Sequence, residues 1–479
     1  MLLHLLHHHQ RQYSTTSCGR RITMCYYYFL IAFLSLSTTH AMDNLKVAFE
    51  WKQLDFNYPS VQDRTEAIEN GVFIPENNIP MGLEVYENRL FVTVPRWKDG
   101  VPASLTYIHL NDTSKDPKLN PFPNWSAHKL PKSINYNDST DITEDPPEIV
   151  SPFRVRADKY GRLWVLDTGV ANLLGNDTVV YTSTQLLIYN LRNDNLLRRY
   201  VLPSDQVHKN SFFANIAVED TDYDDTYAYL GDLSSPGLVI YSFKTGTSWR
   251  ITHHYFHIDP LAGDFNVNGL KFQWTDALFG LALSAPDTDG FSTLYFHPMA
   301  STNEFAVSTR ILRNETAAGN SFHEFKLLGN RGPNGQSAVS FLDKNSSVLF
   351  YSLVNLNAVA CWRTSNPSYT MESQGRIFMS NVTMVYANDI KVDMLGNLWV
   401  LSNRLPQFMY SKLNPADVNF RVLTNTVKDA IRGTACDSKL IVPINNRNAI
   451  INNNNSGNHL LSIHIGIILL VSGLIGKLF

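Results

Sequence analysis

The side chains of this sequence that are best placed to bind a ligand are polar residues at the beginnings of short alternating apolar segments. They are Glu84, Arg154, Asn215, Asn268, Gln336, Asn388 and Asp389. As a group they are nearly neutral, which suits a small hydrogen-bonding ligand with an apolar body, or a small cation, better than a phosphate. Each amide taken singly is also explained by a hydrogen bond to a backbone group at the start of a strand.

Common motifs of enzymatic catalysis are absent from the sequence. It contains no G-x-S-x-G, H-E-x-x-H, G-x-G-x-x-G or C-x-x-C motif and no Walker A loop. His253, His254 and His257 lie close together, but alternation along a strand would place His254 on the face opposite to the other two. We therefore expect structural roles for them, and the sequence indicates no nucleophile, no metal site and no cofactor.

The composition limits the classes of partner. Of the 479 residues, 44% are apolar and 17% are charged, which is enough for a large buried core and too few charges for a disordered chain. Lys and Arg number 40 against 43 Asp and Glu, so the net charge is -3. A basic surface for nucleic acid is therefore not expected.

A repeated pattern organises the polar residues. Two apolar residues at alternate positions, a short polar or glycine-containing turn and a second alternating segment recur, as is typical of β-hairpins. The unit reads GLEVYENRLFVTV from Gly82, PFRVRADKYGRLWVLD from Pro152, NIAVEDTDYDDTYAYLGD from Asn215, GLKFQWTDALFGLAL from Gly269, SAVSFLDKNSSVLFYS from Ser337 and NDIKVDMLGNLWVLS from Asn388.

The spacing of these units predicts the fold. Their second apolar residues are on average about 61 positions apart, at Val85, Val155, Val218, Phe272, Phe341 and Val392. That length fits a four-stranded propeller blade with a long loop, so the sequence predicts an all-β, six-bladed β-propeller in a single domain over residues 42–440. We expect an N-terminal strand from Val47 to Phe56 to pair into the last blade, because an open ring would expose two sheet edges.

The N-terminal end has the features of a targeting segment. An apolar run from Met24 to Ala41 ends in a small-x-small pattern, and we interpret residues 1–41 as a leader with a signal peptide cleaved after Ala41. An uncleaved anchor or a buried helix is the alternative. Cleavage predicts a secreted, extracellular protein.

The C-terminal end predicts attachment to a membrane. Residues 441–458 form an Asn-rich linker, and residues 459–479 form a hydrophobic tail. The small residues before the tail suit a GPI anchor, although the polar spacer is short. A transmembrane helix and a partly buried tail are the alternatives.

Cysteines and glycosylation sequons agree with an extracellular location. Loss of the leader would leave Cys361 and Cys436, and an even pair in an oxidising compartment suggests one disulfide, with two buried thiols as the alternative. Sequons of the N-x-[ST] type predict N-glycosylation within the propeller at Asn111, Asn124, Asn137, Asn176, Asn314, Asn345 and Asn381.

Several long segments resemble the insect yellow and major royal jelly protein family. They are GRLWVLDTG (161–169), HHYFHIDPLAGDFNVNGLKFQWTDALFGLAL (253–283), TLYFHPMASTNEFAVST (293–309), LVNLNAVACW (353–362) and GNLWVLSNRLPQF (396–408). The resemblance runs from about residue 45 to 438. It implies a six-bladed propeller, secretion, and a link to cuticle pigmentation and the melanin pathway.

The resemblance also bears on the cysteines. Cys361 and Cys436 match one bridge of the family. A second family pair has no counterpart here, since its places fall near Pro146 and Pro147 and at Tyr160. This departure suggests that one disulfide has been lost.

Four functions are compatible with these observations. The resemblance favours binding of a small aromatic amine or catechol in the channel, where Asp389 or Glu84 would hold an ammonium group. The alternative is an enzyme that converts dopachrome by tautomerisation, which needs a positioned base that the sequence does not identify. A metal-dependent hydrolase with oxygen ligands from Glu84, Asn215, Asn388 or Asp389 is weaker, because amides supply few anionic ligands. A secreted structural protein is the fourth.

Overall fold

The computed structural model describes residues 42–131 and 147–438. In these residues the strands form six antiparallel sheets of four strands each, which confirms the predicted six-bladed β-propeller. The predicted leader, the Asn-rich linker, the hydrophobic tail and the sequon at Asn137 lie outside the described residues.

Strands are numbered in chain order, and the first, β1 (Lys46–Trp51), is the outer strand of blade 6. Blade 1 contains β2 (Gly82–Tyr86), β3 (Arg89–Thr93), β4 (Leu105–His109) and β5 (Asn120–Pro121). Blade 2 contains β6 (Pro152–Ala157) and β7 (Arg162–Asp167), then a small separate hairpin of β8 (Val170–Ala171) and β9 (Val179–Val180), then β10 (Gln185–Asn190) and β11 (Asn195–Val201). Blade 3 contains β12 (Phe213–Glu219), β13 (Tyr227–Asp232), β14 (Gly237–Ser242) and β15 (Thr247–Ile251).

A second separate hairpin precedes blade 4 and consists of β16 (Asp264–Val267) and β17 (Leu270–Gln273). Blade 4 contains β18 (Leu278–Leu283), β19 (Thr293–Pro298), β20 (Asn303–Ser308) and β21 (Lys326–Asn330). Blade 5 contains β22 (Ser340–Asp343), β23 (Val348–Leu353), β24 (Ala358–Arg363) and β25 (Gln374–Met379). Blade 6 contains β26 (Tyr386–Val392), β27 (Asn397–Asn403) and β28 (Phe420–Thr426), with β1 at its edge.

The α-helices of the described residues are short; four lie between strands and the last follows β28. They are α1 (Val61–Glu69), α2 (Thr309–Leu312), α3 (Glu315–Asn320), α4 (Leu405–Tyr410) and α5 (Val427–Ala430). The longest, α1, begins after Ser60, whose hydroxyl accepts a hydrogen bond from the backbone N–H of Asp63 and so caps the helix.

The ring closes as the sequence predicts. β1 pairs antiparallel with β28, so that Trp51 lies opposite Phe420 and its side chain is buried. The strand ends at Trp51 rather than at Phe56, because the chain leaves blade 6 there and Phe56 forms a bridge with Leu119 beside blade 1. The pairing covers the edge of β28 and completes the four strands of blade 6.

One predicted hairpin, the fourth, is wrong. Phe272 lies on β17, which pairs with β16, whereas the inner strand of blade 4 is β18 and pairs with β19. The connection between blades 3 and 4 carries its own alternating pattern, in which Phe272 stacks on Phe265 with ring centroids 5.4 Å apart. Alternation therefore identified two real strands, β17 and β18, but joined them in a hairpin that the structure does not contain.

Blades 2 and 6 share a turn between their two inner strands that has the sequence D-x-x-G-x-x-W. In blade 6, one carboxylate oxygen of Asp393 accepts backbone N–H groups of Leu395 and Asn397, and the other accepts the Trp399 indole N–H at 2.8 Å. Gly396 has φ +79°, which a residue with a side chain rarely adopts. The aspartates of these turns are therefore fully used in holding the hairpins.

The expected disulfide is present between Cys361 on β24 and Cys436. It joins blade 5 to the segment that follows the last strand of blade 6. Cross-linking a loop of this length stabilises a protein by roughly 4 kcal/mol on a chain-entropy estimate.

Candidate functional site

Six inner strands surround the axis of the propeller. β2, β6, β12, β18, β22 and β26 each contact the next one around the ring, and β26 contacts β2 again. All six run in the same direction, from an end where each begins to an end where each turns into its hairpin. We call these the starting end and the turn end.

The starting end is filled by apolar side chains. Residues within two positions of the start of each inner strand belong to one buried cluster: Met81, Phe153, Ala214, Phe279, Ala338 and Tyr386. Phe153 packs edge to face on Phe212 and stacks on Trp97. Burial of one such aromatic side chain contributes about 1.5–3 kcal/mol, so this end acts as a core.

The turn end holds a cavity of about 370 Å³. It is lined by residues from the ends of the inner strands and from the hairpin turns that follow them, including Tyr86, Arg156, Lys159, Asp220, Phe341, Lys344, Asn345 and Asp393. A smaller space beneath it shares Arg156, Phe341 and Lys344 and reaches Asn215 and Lys391. The cavity therefore continues some way into the channel.

Basic side chains in the channel are paired with carboxylates. Arg156 lies 2.8 Å from Glu84, and Lys344 lies 3.0 Å from Asp220. Burial would lower the pKa of Arg156, but the Glu84 carboxylate more than offsets this, so that the pKa is raised. Burial acts to raise the pKa of Asp220, and Lys344 reverses the effect, so that the pKa is lowered.

A second pair of contacts lies deeper in the channel. The Asp389 carboxylate is 2.7 Å from the Lys391 ammonium and 3.7 Å from the Arg154 guanidinium. All three side chains are nearly or fully buried. Burial lowers the pKa of Lys391, with Asp389 acting in the opposite sense.

Carboxylates in the channel have little capacity left for a ligand. Glu84 also accepts backbone N–H groups of Val85 and Ala157, and Asp389 accepts those of Leu83 and Ile390. The cations retain donors: among the described residues the Arg156 guanidinium donates only to Glu84, and its plane lies 4.9 Å from the centre of the Phe341 ring. This end of the channel is therefore a donor site beside an aromatic ring.

The amides predicted to face a ligand bond backbone carbonyls instead. Asn215 donates to the Phe279 carbonyl at 2.7 Å, Asn388 donates to the Met81 carbonyl, and Gln336 donates to the Ala262 carbonyl at 3.0 Å. Asn268 is not on an inner strand: it lies in the turn between β16 and β17, is exposed, and donates to the Asn381 carbonyl. Arg154 is buried at the starting end and donates to the carbonyls of Met81 and Asn388.

The residues that line the cavity were not predicted from the sequence. Apart from Asn268, the predicted positions lie near the start of an inner strand, whereas the cavity lies at the turn end. Arg156, Phe341 and Lys344 follow the predicted positions by a few residues, near the hairpin turns. In the sequence Phe341 stands out only as the second apolar residue of the fifth repeat unit. A search for basic side chains just before each hairpin turn would have found Arg156 and Lys391.

The histidine cluster lies away from the cavity. His253 caps a short helical turn by accepting the Tyr255 backbone N–H, and its ring stacks on Phe325 with centroids 4.1 Å apart. Burial lowers the pKa of His253. Over residues 42–131 and 147–438 there is no group of three or more His, Cys, Asp or Glu that could hold a metal ion.

The comparisons with known proteins agree with this fold. Residues 150–436 match the family model of the major royal jelly proteins. The chain belongs to the yellow and major royal jelly protein family. Protein yellow of Drosophila subobscura is 42% identical over 412 residues, covering 85% of this chain and 70% of its own. Protein yellow of Drosophila melanogaster is 41% identical over 413 residues, covering 85% of this chain and 74% of its own.

A solved structure of a luciferin-regenerating enzyme shows a weaker similarity to this chain. It covers 75% of this chain and 93% of its own, with a TM-score of 0.41 and 10% sequence identity.

Two observations on the described residues concern glycosylation and membrane attachment. The sequon asparagines at 111, 124, 176, 314, 345 and 381 are all exposed. None of the helices in the described part of the chain has the length and apolar character needed to cross a bilayer.

Proposed function

We propose that this family member binds a small catechol-type aromatic molecule in the turn-end cavity, with a preference for one that carries an acidic group. The observation that supports this most directly is the Arg156 guanidinium, which keeps free donors while it lies over the Phe341 ring. Lys344 adds a second cation at the same wall. Charge-assisted donors of this kind suit phenolic, quinone and carboxylate oxygens.

Size and wall chemistry are compatible with such a ligand. A cavity of about 370 Å³ is at the small end of the range for ligand sites, which suits a single substituted ring. Tyr86 and Phe341 supply aromatic surface, and the Arg156 and Lys344 heads supply polar contacts. The cavity thus combines aromatic surface with a largely charged lining, in which the aspartates hold turns or pair with lysine.

An ammonium group is less well accommodated in the same place. Glu84 and Asp389, the carboxylates expected to hold it, are fully buried and already paired with Arg156, Arg154 and Lys391. A cationic ligand would have to displace one of these arginines or the lysine, or sit beside them unpaired. Uncompensated charge in a buried site is costly, so we favour a catechol over a biogenic amine.

Conversion of dopachrome would need a base near an acidic C–H bond. The described lining of the cavity contains no histidine, and its aspartates hold turns or pair with lysine. The geometry thus supports binding better than catalysis. Family membership and the predicted signal peptide support a secreted protein linked to pigmentation or cuticle biology.

Calorimetry with three ligands that share a catechol ring and differ in charge tests this proposal. 3,4-Dihydroxyphenylacetate is anionic, catechol is neutral and dopamine is cationic. We expect affinity to fall in that order, and Lys344→Gln to weaken the binding of the anion by about tenfold, as loss of one charge-assisted hydrogen bond would. Lys428→Gln, at an exposed lysine that does not line the cavity, is the matched control and should bind like the unaltered protein.

Two results would contradict the proposal. Tighter binding of dopamine than of 3,4-dihydroxyphenylacetate would favour the amine hypothesis, and no heat from any of the three at millimolar concentration would favour a structural role. A salt titration adds a check, because binding that depends on Lys344 should weaken as ionic strength rises.

A further inference from the structure

The sequon at Asn345 differs from the other described sequons in its place in the fold. Asn345 lies in the turn between β22 and β23, next to Lys344, and lines the turn-end cavity. The others lie on loops that do not line it, at Asn111, Asn124, Asn176, Asn314 and Asn381. Only Asn345, among the sequons in the described residues, is on one of the six inner turns.

The turn that carries Asn345 is held by other atoms. The Asp343 carboxylate accepts the backbone N–H groups of Asn345 and Ser346, and the Asp343 carbonyl accepts that of Ser347 at 2.9 Å. The Asn345 side chain is exposed and makes no hydrogen bond within the part of the chain that the structure describes. A sugar attached to its amide nitrogen would therefore break no contact of the fold.

We propose that an N-glycan on Asn345 stands at the mouth of the turn-end cavity and controls which molecules enter it. An N-linked oligosaccharide is bulky and hydrophilic, so it would hinder large molecules while a single ring still passes. The effect on ligands rests on the proposed function of the cavity. The position of the glycan does not.

A steric gate has a kinetic signature. A group that narrows the mouth without touching the bound ligand slows entry and exit by the same factor, so the association and dissociation rates change together and Kd does not. A glycan that contacted the ligand would change Kd. The two cases are therefore separable by measuring both rates.

The first experiment needs no ligand. Protein secreted from insect cells is compared with Asn345→Gln and with Ser347→Gly, which removes the sequon at a residue whose φ of +56° suits glycine. Asn381→Gln, which removes a sequon remote from the cavity, is the matched control. Peptide mapping by mass spectrometry gives the occupancy of Asn345, and labelling of Lys344 with a small and a large amine-reactive ester gives access to the cavity.

We expect the large reagent to label Lys344 several-fold faster in both variants, with no change for the small reagent and none in Asn381→Gln. An unoccupied Asn345, or equal effects on the two reagents, would overturn the gate. Stopped-flow binding of a catechol that carries a bulky substituent should then show both rates raised in Asn345→Gln at constant Kd, whereas the rates for 3,4-dihydroxyphenylacetate should not change. If labelling behaves as expected and no ligand binds, the gate stands and the proposed function fails.

Discussion

The two ends of the channel are built from the same six strands and differ in almost every physical property. Arg154 and Arg156 lie two residues apart on β6 and illustrate the difference. The Arg154 side chain is fully buried against Phe153 and Phe279 at the starting end, whereas that of Arg156 is 21% exposed at the turn end. The first cation donates to two buried backbone carbonyls beside Asp389, and the second keeps donors that reach the cavity.

This contrast indicates how one fold separates stability from binding. At the starting end Arg154 and its partners Asp389 and Asn388 are buried beside an apolar cluster, so a change there removes a contact that water cannot replace. At the turn end the ion pairs are partly hydrated, so the same kind of change costs less. Stability and ligand binding can therefore be altered independently at opposite ends of β6.

The largest expected effect is at the starting end. Arg154→Met should lower the free energy of unfolding by about 3–5 kcal/mol, because it leaves the buried Asp389 without one of its two cationic partners. Urea denaturation measures this. Arg376→Met, an exposed arginine on β25, should stay within about 0.5 kcal/mol of the unaltered protein. An unchanged urea midpoint for Arg154→Met would contradict the proposed difference in stability between the two ends of the channel.

A smaller effect on the free energy of unfolding, an increase rather than a decrease, is expected from replacing Asp276, which lies just before β18. Burial raises its pKa to about 6, and its carboxylate has no hydrogen bond or ion pair among residues 42–131 and 147–438. The folded-state pKa lies above the ordinary 3.8, so stability falls as pH rises from about 3.8 to about 6. Asp276→Asn should therefore stabilise the protein at pH 7 by about 1–3 kcal/mol.

Thermal unfolding between pH 4 and pH 8 checks this sign. The gain from Asp276→Asn should shrink as the solution is acidified and vanish below pH 3.8. Asp205→Asn, at an exposed aspartate, should give no comparable slope. A variant that is less stable than the unaltered protein at pH 7 would mean that the carboxylate has a partner after all.

The smallest effect is expected at the turn end. Asp220 pairs with Lys344, and the pKa of Asp220 is lowered, so its contribution to stability is present above its ordinary pKa of 3.8 and is lost as pH falls below it. Asp220→Asn should cost about 0.5–1 kcal/mol at pH 7, because the Lys344 side chain is 36% exposed. Its stability curve should approach that of the unaltered protein in acid. A cost as large as that of Arg154→Met would contradict the comparison.

Local pattern was sufficient for most of the fold. Alternation and turn residues identified five of the six inner hairpins and the closing strand, because each depends on residues adjacent in the chain. The fourth failed because β17 has the same alternation as a blade strand, and only its partner distinguishes it. The candidate site was predicted less accurately. The predicted amides donate hydrogen bonds to backbone carbonyls, and the residues that line the cavity come a few positions later, near the hairpin turns.

The number of blades and the membership of the family follow from residue types and their order, and the even pair of cysteines already suggested the disulfide. Which end of the channel is open was decided only in the tertiary structure. Arg154 and Arg156 have the same residue type and point to the same side of one strand, and nothing local distinguishes them. Phe279, Met81 and Tyr386 arrive at the starting end from other blades and fill it, whereas the turns leave the other end hydrated.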